Sequence, residues 1–163
     1  MDVVRATSED WPAVRALLVD AALPLDGAKE AFSTGVVARD GGRLIGAAAI
    51  EPYDGAALLR SVAVALDRRG CGVGTALVAA AEDLAQASGA GQLILLTDTA
   101  ESWFTRLGFS PVDRATVPAD VARSVEFETA CSATAVAMGR TLSDVYAASP
   151  LEPPAGARLL ALR

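Results

Sequence analysis

Apolar positions along the chain alternate between helical spacing and strand spacing. Between Val14 and Ala21 they recur at i, i+3, i+4 and i+7, which predicts one helix face, and Leu23-Pro24 ends this helix. A longer helix is predicted from about Gly72 to Ser88. Because helix-like and strand-like segments follow one another along the chain, we predict an α/β fold with a mixed sheet.

Three consecutive strands are predicted before the long helix, namely Gly35–Arg39, Arg43–Tyr53 and Ala57–Ala65. Short turns such as Asp40-Gly41-Gly42 separate them, so we expect an antiparallel meander. The continuous apolar run Gln92–Thr97 is typical of a strand buried on both faces. With the long helix it predicts a βαβ unit, followed by a short helix over 100–107 and strands near 109–113 and 133–140.

The composition changes past Thr141. The segment Ser149–Pro154 contains three prolines and cannot continue a helix or a central strand. We therefore place one domain over residues 1–140 and a proline-rich C-terminal appendage over 141–163. The appendage is either a flexible tail or a segment that docks on its own domain or on a second subunit.

The composition excludes several classes of function. A net charge of −6 with a single lysine is unfavourable for binding nucleic acid or an anionic membrane. The absence of histidine excludes Ser-His-Asp triads and histidine-containing metal sites. Cys71 and Cys131 are too few for a disulfide framework or a cysteine-only zinc site, so we expect free thiols and no metal. Since no signal peptide is recognised, we expect a cytoplasmic protein.

The segment Arg68–Thr75 carries the strongest chemical signal. Its sequence RRGCGVGT lies between a predicted strand and the long helix. Clustered glycines let several backbone N–H groups point at one spot, and the helix N-terminus adds positive potential. The pattern therefore predicts a cradle for a diphosphate, although a tight strand-to-helix turn would need similar glycines. It is neither a P-loop nor a good dinucleotide fingerprint, because no Lys-Ser/Thr follows and three antiparallel strands precede it.

These residues resemble a known family. The run from Arg69 to Gly74 is similar to the Arg/Gln-x-x-Gly-x-Gly/Ala motif of the GCN5-related N-acetyltransferases (GNAT), and Leu59–Val64 resembles the strand before it. Ala100–Phe109 resembles a later family segment, with Phe104 where many relatives have a tyrosine. The resemblance implies the GNAT fold, acetyl-CoA as the donor and a primary amine as the acceptor.

The resemblance also implies which residues hold acetyl-CoA. The backbone of the strand Val62–Val64 would bind the pantetheine, with the Val62 or Ala63 N–H facing the thioester oxygen. The expected set of cofactor-binding residues is Val62, Ala63, Val64, Arg69, Gly70, Cys71, Gly72, Val73, Gly74, Thr75 and Phe104.

A subgroup resemblance suggests the acceptor. Leu95–Glu101, Arg114 to Pro118, Arg123 to Phe127 and Cys131–Met138 resemble small acetyltransferases associated with arsenic resistance, the ArsN type. Ser132 stands where that group usually has proline. The group is thought to acetylate the amine of arsinothricin, a glutamate mimic with an arsenic group.

Amine acetylation needs a base, because only the neutral amine attacks. We predict Glu51 as this base, sharing a strand face with Tyr53 by period-two alternation, and Asp98 or Glu126 as alternatives. Phe104 cannot protonate the leaving thiolate, which leaves water, Tyr53 or Tyr146.

An acidic acceptor needs cations, and arginine matches carboxylate or arsinate oxygens in a bidentate manner. We predict Arg60 as the first such ligand, followed by Arg114 and Arg123, with hydroxyl contacts from Ser61 and Thr97.

Three functions remain open at this point. The first is an N-acetyltransferase that acts on the primary amine of a small molecule, with a homodimer as an open option. The second is an N-terminal acetyltransferase of proteins or peptides. The third is an acyl-CoA-binding regulatory module without turnover.

Overall fold

The computed structural model describes residues 1–130 and 133–142. Within these ranges seven strands form one sheet in the order β1-β2-β3-β4-β5-β7-β6. The strands are β1 (Asp2–Arg5), β2 (Gly35–Asp40), β3 (Arg43–Pro52), β4 (Ala57–Val64), β5 (Gln92–Thr97), β6 (Ser110–Pro111) and β7 (Val136–Thr141). All neighbours pair antiparallel except β4 and β5, which are parallel.

The helices lie between these strands. They are α1 (Trp11–Asp20), α2 (Ala28–Ala31), α3 (Val73–Ala87), α4 (Glu101–Arg106) and α5 (Ala119–Ala122), with a π-helical turn at Glu126–Ala130. The predicted mixed sheet, the antiparallel meander and the β4–α3–β5 unit are confirmed. In the described ranges no helix combines the length and the apolar character that crossing a membrane requires.

Two apolar clusters cover the two faces of the sheet. The larger cluster joins α1 and α3 to side chains such as Ile50, Leu59 and Leu93. The smaller one surrounds Leu58 and Ile94 on the other face. The alternation along β4 and β5 therefore divides neighbouring side chains between two cores, as the period of a strand requires.

The C-terminal strand differs from its predicted bounds. It begins at Val136 and continues through Thr141, and Leu142 is buried with its N–H donating to the Gly91 carbonyl at 3.0 Å. The first two residues of the predicted appendage thus pack with the domain. The rest of the appendage, with Tyr146, and also Cys131 and Ser132 lie outside the described residues.

A β-bulge in β4 shapes the centre of the sheet. Ala47 pairs with Ala63 but Ala49 pairs with Arg60, so β4 carries one extra residue at this point. Ser61 takes up the irregularity with a left-handed φ of 57°. Because a bulge bends its strand and increases the local twist, it redirects the C-terminal half of β4.

The redirected half of β4 leaves β5. Pairing between the two parallel strands is confined to Ala57 with Leu93 and Leu58 with Ile94. Among the described strands, none pairs with β4 on this side beyond Leu58. The sheet therefore opens at its centre, between the ends of two buried strands.

We predict that Gly46→Ala lowers the free energy of unfolding by about 1–3 kcal/mol, the usual cost of overpacking. An added Cβ at Gly46 would lie 2.7 Å from Leu77 Cδ1 and 3.2 Å from the Ala63 carbonyl oxygen, so packed atoms of α3 and β4 would have to shift. Urea denaturation measures the effect. Gly91→Ala is the matched control, because its nearest neighbour would be 3.7 Å away. Equal stability of the two variants would contradict the close packing of α3 on β3.

Candidate functional site

The opening between β4 and β5 is a cleft of about 1100 Å³. Its walls are the C-terminal half of β4, the end of β5, the loop before α3 and the start of α4. The loop after α1 contributes a further wall through the segment Ala21–Pro24 and Asp26. The cleft thus joins the predicted diphosphate cradle to the bulged strand.

The loop before α3 has the backbone that its glycines predict. Gly70 and Gly72 have φ values of 74° and 83°, and a Cβ at either would meet no atom within 4 Å. The left-handed backbone, and not a lack of space, is therefore what favours glycine here. Arg69 donates from Nε to the Val64 carbonyl at 3.1 Å, which ties the loop to the end of β4.

An aromatic wall closes the cleft on the α4 side. The Trp103 and Phe104 rings meet edge to face at 4.8 Å, and Phe104 meets Phe109 in the same way at 5.6 Å. A Cβ at Gly74 would lie 2.9 Å from Trp103, so the absence of a side chain there lets α3 approach this ring. Phe104 is buried within this stack, where it supplies shape and no proton.

A cluster of three charged side chains lies beside the bulge. The Arg60 side chain is 0% exposed, and its Nη2 lies 3.1 Å from Glu126 Oε1 while its Nη1 lies 3.5 Å from Glu51 Oε1. Nη2 also donates to the Asp26 carbonyl at 2.6 Å, and Nε lies 3.3 Å from Ser61 Oγ. One buried guanidinium therefore serves two carboxylates, and this charge cluster is Glu51–Arg60–Glu126.

The environment of Glu51 disfavours its ionised form. Burial raises the pKa of Glu51, the Arg60 charge opposes this, and the Glu126 carboxylate adds to it. Its Oε2 is buried and accepts no hydrogen bond of good geometry from the described residues. Burial, and then the neighbouring Glu51 carboxylate, also raise the pKa of Tyr53.

Most of the predicted site residues line the cleft together. These are Arg60, Ser61, Val62, Ala63, Val64, Arg69, Gly70, Gly72, Val73, Gly74, Thr75, Thr97 and Phe104. Of the predicted bases, Asp98 and Glu126 also line the cleft. Thr97 Oγ1 accepts the Ala100 N–H at 3.0 Å, so part of its hydrogen-bonding capacity serves the start of α4.

Five predicted residues do not line the cleft, namely Glu51, Tyr53, Cys71, Arg114 and Arg123. Glu51 and Tyr53 share one face, as the strand period predicts, but Glu51 reaches the cleft only through Arg60. Cys71 is exposed in the loop. Arg114 donates to the Ala135 carbonyl at 2.7 Å and lies over the Phe127 ring, which places its guanidinium in the packing of the segment before β7.

Sequence reasoning missed three parts of the cleft wall. They are the loop after α1, Trp103 and Arg106. Leu23-Pro24 marks the end of α1, but no local pattern indicates that the following loop reaches β4. Trp103 directly precedes the phenylalanine that the resemblance singled out, and its size next to Gly74 is the signal that could have been used.

Residues 31–111 match a family model described as the acetyltransferase (GNAT) domain. The comparison with curated proteins gives no match. The described residues contain no group of three or more histidine, cysteine, aspartate or glutamate side chains that could hold a metal ion.

Solved structures share the fold at low sequence identity. Rv2747 from Mycobacterium tuberculosis in complex with CoA is 24% identical, with 88% of this chain and 100% of that chain covered and a TM-score of 0.75. A GNAT acetyltransferase from Staphylococcus aureus is 13% identical, with coverage of 87% and 99% and a TM-score of 0.72.

A larger enzyme contains the same fold as one part. The N-acetylglutamate synthase from Neisseria gonorrhoeae, complexed with coenzyme A and N-acetyl-glutamate, is 21% identical with a TM-score of 0.76. The match covers 87% of this chain and 35% of that chain, so this chain spans about a third of the synthase.

The matched model and the opened sheet identify a GNAT acetyltransferase domain in this chain. The protein is an acetyl-CoA-dependent N-acetyltransferase, as the resemblance implied, and acetyl-CoA is its co-substrate.

We predict that Arg60→Met lowers the free energy of unfolding by roughly 3–5 kcal/mol at neutral pH, because it leaves the buried carboxylate of Glu126 and the half-buried carboxylate of Glu51 without their cation. The loss should grow as pH rises. Without Arg60 the pKa of Glu51 rises further. The folded state then binds the proton of the Glu51 carboxyl group more tightly than the unfolded state does. The free energy of unfolding therefore falls as the pH rises and Glu51 loses this proton.

Urea denaturation at pH 5 and pH 8 measures both effects. Arg123→Met is the control, because its partner Asp120 and Arg123 itself are 57% and 69% exposed. A loss for Arg60→Met that is no larger than for this surface pair would show that the cluster contributes little to folding.

Proposed function

We propose that this enzyme transfers the acetyl group of acetyl-CoA to the primary amine of a small molecule. One observation carries the proposal: a single cleft runs from the glycine-rich loop, past the unpaired edge of β4, to the carboxylate of Glu126. The three parts match the needs of the reaction, which are an anion cradle, an exposed thioester and a proton acceptor.

The loop and β4 would hold the donor. Backbone N–H groups from Arg69 to Thr75 lie at the start of α3, where the helix dipole favours a diphosphate. The strand Val62–Val64 offers its unpaired backbone edge to an extended amide-containing chain, as pantetheine is. An N–H of Val62 or Ala63 would donate to the thioester oxygen and stabilise the negative charge that develops there.

The leaving sulfur would take its proton from water. Phe104 occupies the position of the tyrosine in many relatives and cannot donate, and Tyr53 lies outside the cleft wall. A thioester supplies a leaving group that is stable enough as an anion for this. The described residues therefore support a reaction whose demanding step is deprotonation of the ammonium.

Two acceptor classes have support. The resemblance to the ArsN type favours arsinothricin, an amino acid with an acidic arsenic group. Against this, the Arg60 guanidinium, the predicted ligand for such a group, is fully buried and already contacts two carboxylates and a carbonyl. This arrangement favours an amine without a neighbouring acid. The homodimer, the cytoplasmic location and the absence of nucleic-acid or membrane partners stay predictions.

We predict that Gly72→Asp weakens the binding of acetyl-CoA at least tenfold more than Gly72→Asn does. Both side chains tolerate the left-handed backbone, both enter open space, and they differ by one negative charge beside the diphosphate. Isothermal titration calorimetry with acetyl-CoA measures the difference. Equal affinities of the two folded variants would move the diphosphate away from this loop.

The acceptor is tested by thiol release from acetyl-CoA with matched pairs of amines. The panel contains arsinothricin, phosphinothricin, glutamate and glutamate diamide, which keeps the chain of glutamate without its acids. With either the acidic amines or the diamide, we expect the thiol of CoA to be released faster than acetyl-CoA hydrolyses without an amine. Mass spectrometry of the N-acetyl product confirms the transfer.

A preference for the acids over the diamide would support the ArsN-type acceptor, and the reverse would support a non-acidic amine. Binding of acetyl-CoA without turnover of any amine, in this panel or in a wider one, would support the non-catalytic module instead. Acetylation confined to peptide N-termini would support the protein acetyltransferase.

A further inference from the structure

Of the two carboxylates in the Glu51–Arg60–Glu126 cluster, only Glu126 lines the cleft. Its side chain is 7% exposed, and it begins the π-helical turn Glu126–Ala130. Glu126 is therefore the carboxylate of the cluster that faces the cleft, whereas Glu51 lies behind the guanidinium.

The Arg60 guanidinium cannot move with either carboxylate, because hydrogen bonds to other groups hold it in place. Arg60 donates from Nη2 to the Asp26 carbonyl at 2.6 Å, and its Nε lies against the hydroxyl of Ser61 in the bulge. The bulge residue has a left-handed backbone, so its position is set by the strand and not by the cluster. Arg60 is consequently a fixed charge against which both carboxylates are placed.

Glu51 and Glu126 both contact this one fixed charge. A cation close to a carboxylate favours the ionised form, and a second carboxylate close by disfavours it. Both effects act on Glu51: burial raises its pKa most, the Arg60 charge opposes this, and the Glu126 charge raises the pKa further. The other titratable groups on the cleft wall or against the cluster are Asp26, Tyr53, Asp98, Arg68, Arg69 and Arg106.

We propose that Glu126 is the catalytic residue that takes the proton from the acceptor ammonium, and that Arg60 and Glu51 are its positioning residues. Arg60 holds the Glu126 carboxylate at the cleft wall through Nη2, and Glu51 contacts Nη1 of the same guanidinium from the other side. The assignment rests on the proposed acetyl transfer and replaces Glu51, the base predicted from the sequence, by the residue that the cleft exposes.

The proton balance is complete without a further reactant. The ammonium gives one proton to a Glu126 oxygen, and the nitrogen lone pair then forms the C–N bond at the thioester carbonyl carbon. The C–S bond breaks with its electron pair on sulfur, which takes a proton from water as the nitrogen loses its second proton to water. Glu126 finally returns its proton to solvent.

The test compares Glu126→Gln, Glu51→Gln and Arg60→Lys, using the panel amine with the highest kcat/KM. We expect Glu126→Gln to lower kcat about 100-fold or more and to remove the acidic limb of the pH–rate profile, with unchanged affinity for acetyl-CoA. Glu51→Gln should retain that limb and lower kcat less than Glu126→Gln does, because Glu51 contacts Arg60 and does not line the cleft. Arg60→Lys should lower kcat and keep the limb.

Glu82→Gln is the matched control, since Glu82 is another half-buried carboxylate paired with an arginine, Arg140, and lies outside the cleft wall. The proposal is overturned if Glu51→Gln removes the acidic limb while Glu126→Gln retains it, and also if Glu126→Gln leaves kcat unchanged.

A second readout needs no turnover, so it separates this proposal from the proposed function. Carbon-13 NMR follows the side-chain carboxyl signals of the glutamates, and the Glu126 signal is assigned by its absence in Glu126→Gln. We expect the chemical shift of this signal at neutral pH to move in Arg60→Lys, which changes the group that contacts Glu126, and to stay in Glu82→Gln. An unmoved signal in Arg60→Lys would overturn the role of Arg60 in holding Glu126, whether or not an acceptor has been found.

Discussion

The separation of β4 from β5 after two paired residues is the constraint on which the rest of the structure depends. Two buried parallel strands ordinarily satisfy each other's backbone groups, and here the bulge at Ser61 ends that pairing in the middle of the sheet. The groups left without a strand partner need another one, since unpaired backbone polar groups are costly away from water. A bound ligand with amide groups can supply these hydrogen-bond partners. The opening in the sheet therefore connects the fold directly to the binding of a donor.

The charges follow from the same opening. Arg60 precedes the bulge, faces away from the core that contains Leu59, and would be an uncompensated buried cation without Glu51 and Glu126. Such a cluster contributes little net stability compared with a well-packed apolar one, because desolvation offsets most of the attraction. What it provides is a carboxylate held at the cleft wall by a cation that the backbone fixes.

The order of the helices and strands could be predicted from the sequence because local residue patterns determine it. The turn at Asp40–Gly42, the apolar run of β5 and the glycines before α3 each determine their own structure, and the family motif depends on these same residues. The location of Glu51 behind Arg60 could not be predicted. Strand alternation indicates the face on which Glu51 lies, but a residue 75 positions later in the chain, Glu126, occupies the cleft side. Distant contacts of this kind, like the loop after α1 against β4, leave no local periodicity.

The wall formed by Trp103 has an optical consequence. The chain contains two tryptophans. Trp11, the first residue of α1, packs against Phe32 outside the cleft wall, while Trp103 lines the cleft next to Gly74 in the first turn of α3. Indole emission depends on the polarity around the ring, so occupation of the cleft changes the fluorescence of one residue against a constant background from the other. The protein thus carries its own label-free reporter, and a Trp11→Phe variant would make the signal that of the cleft alone.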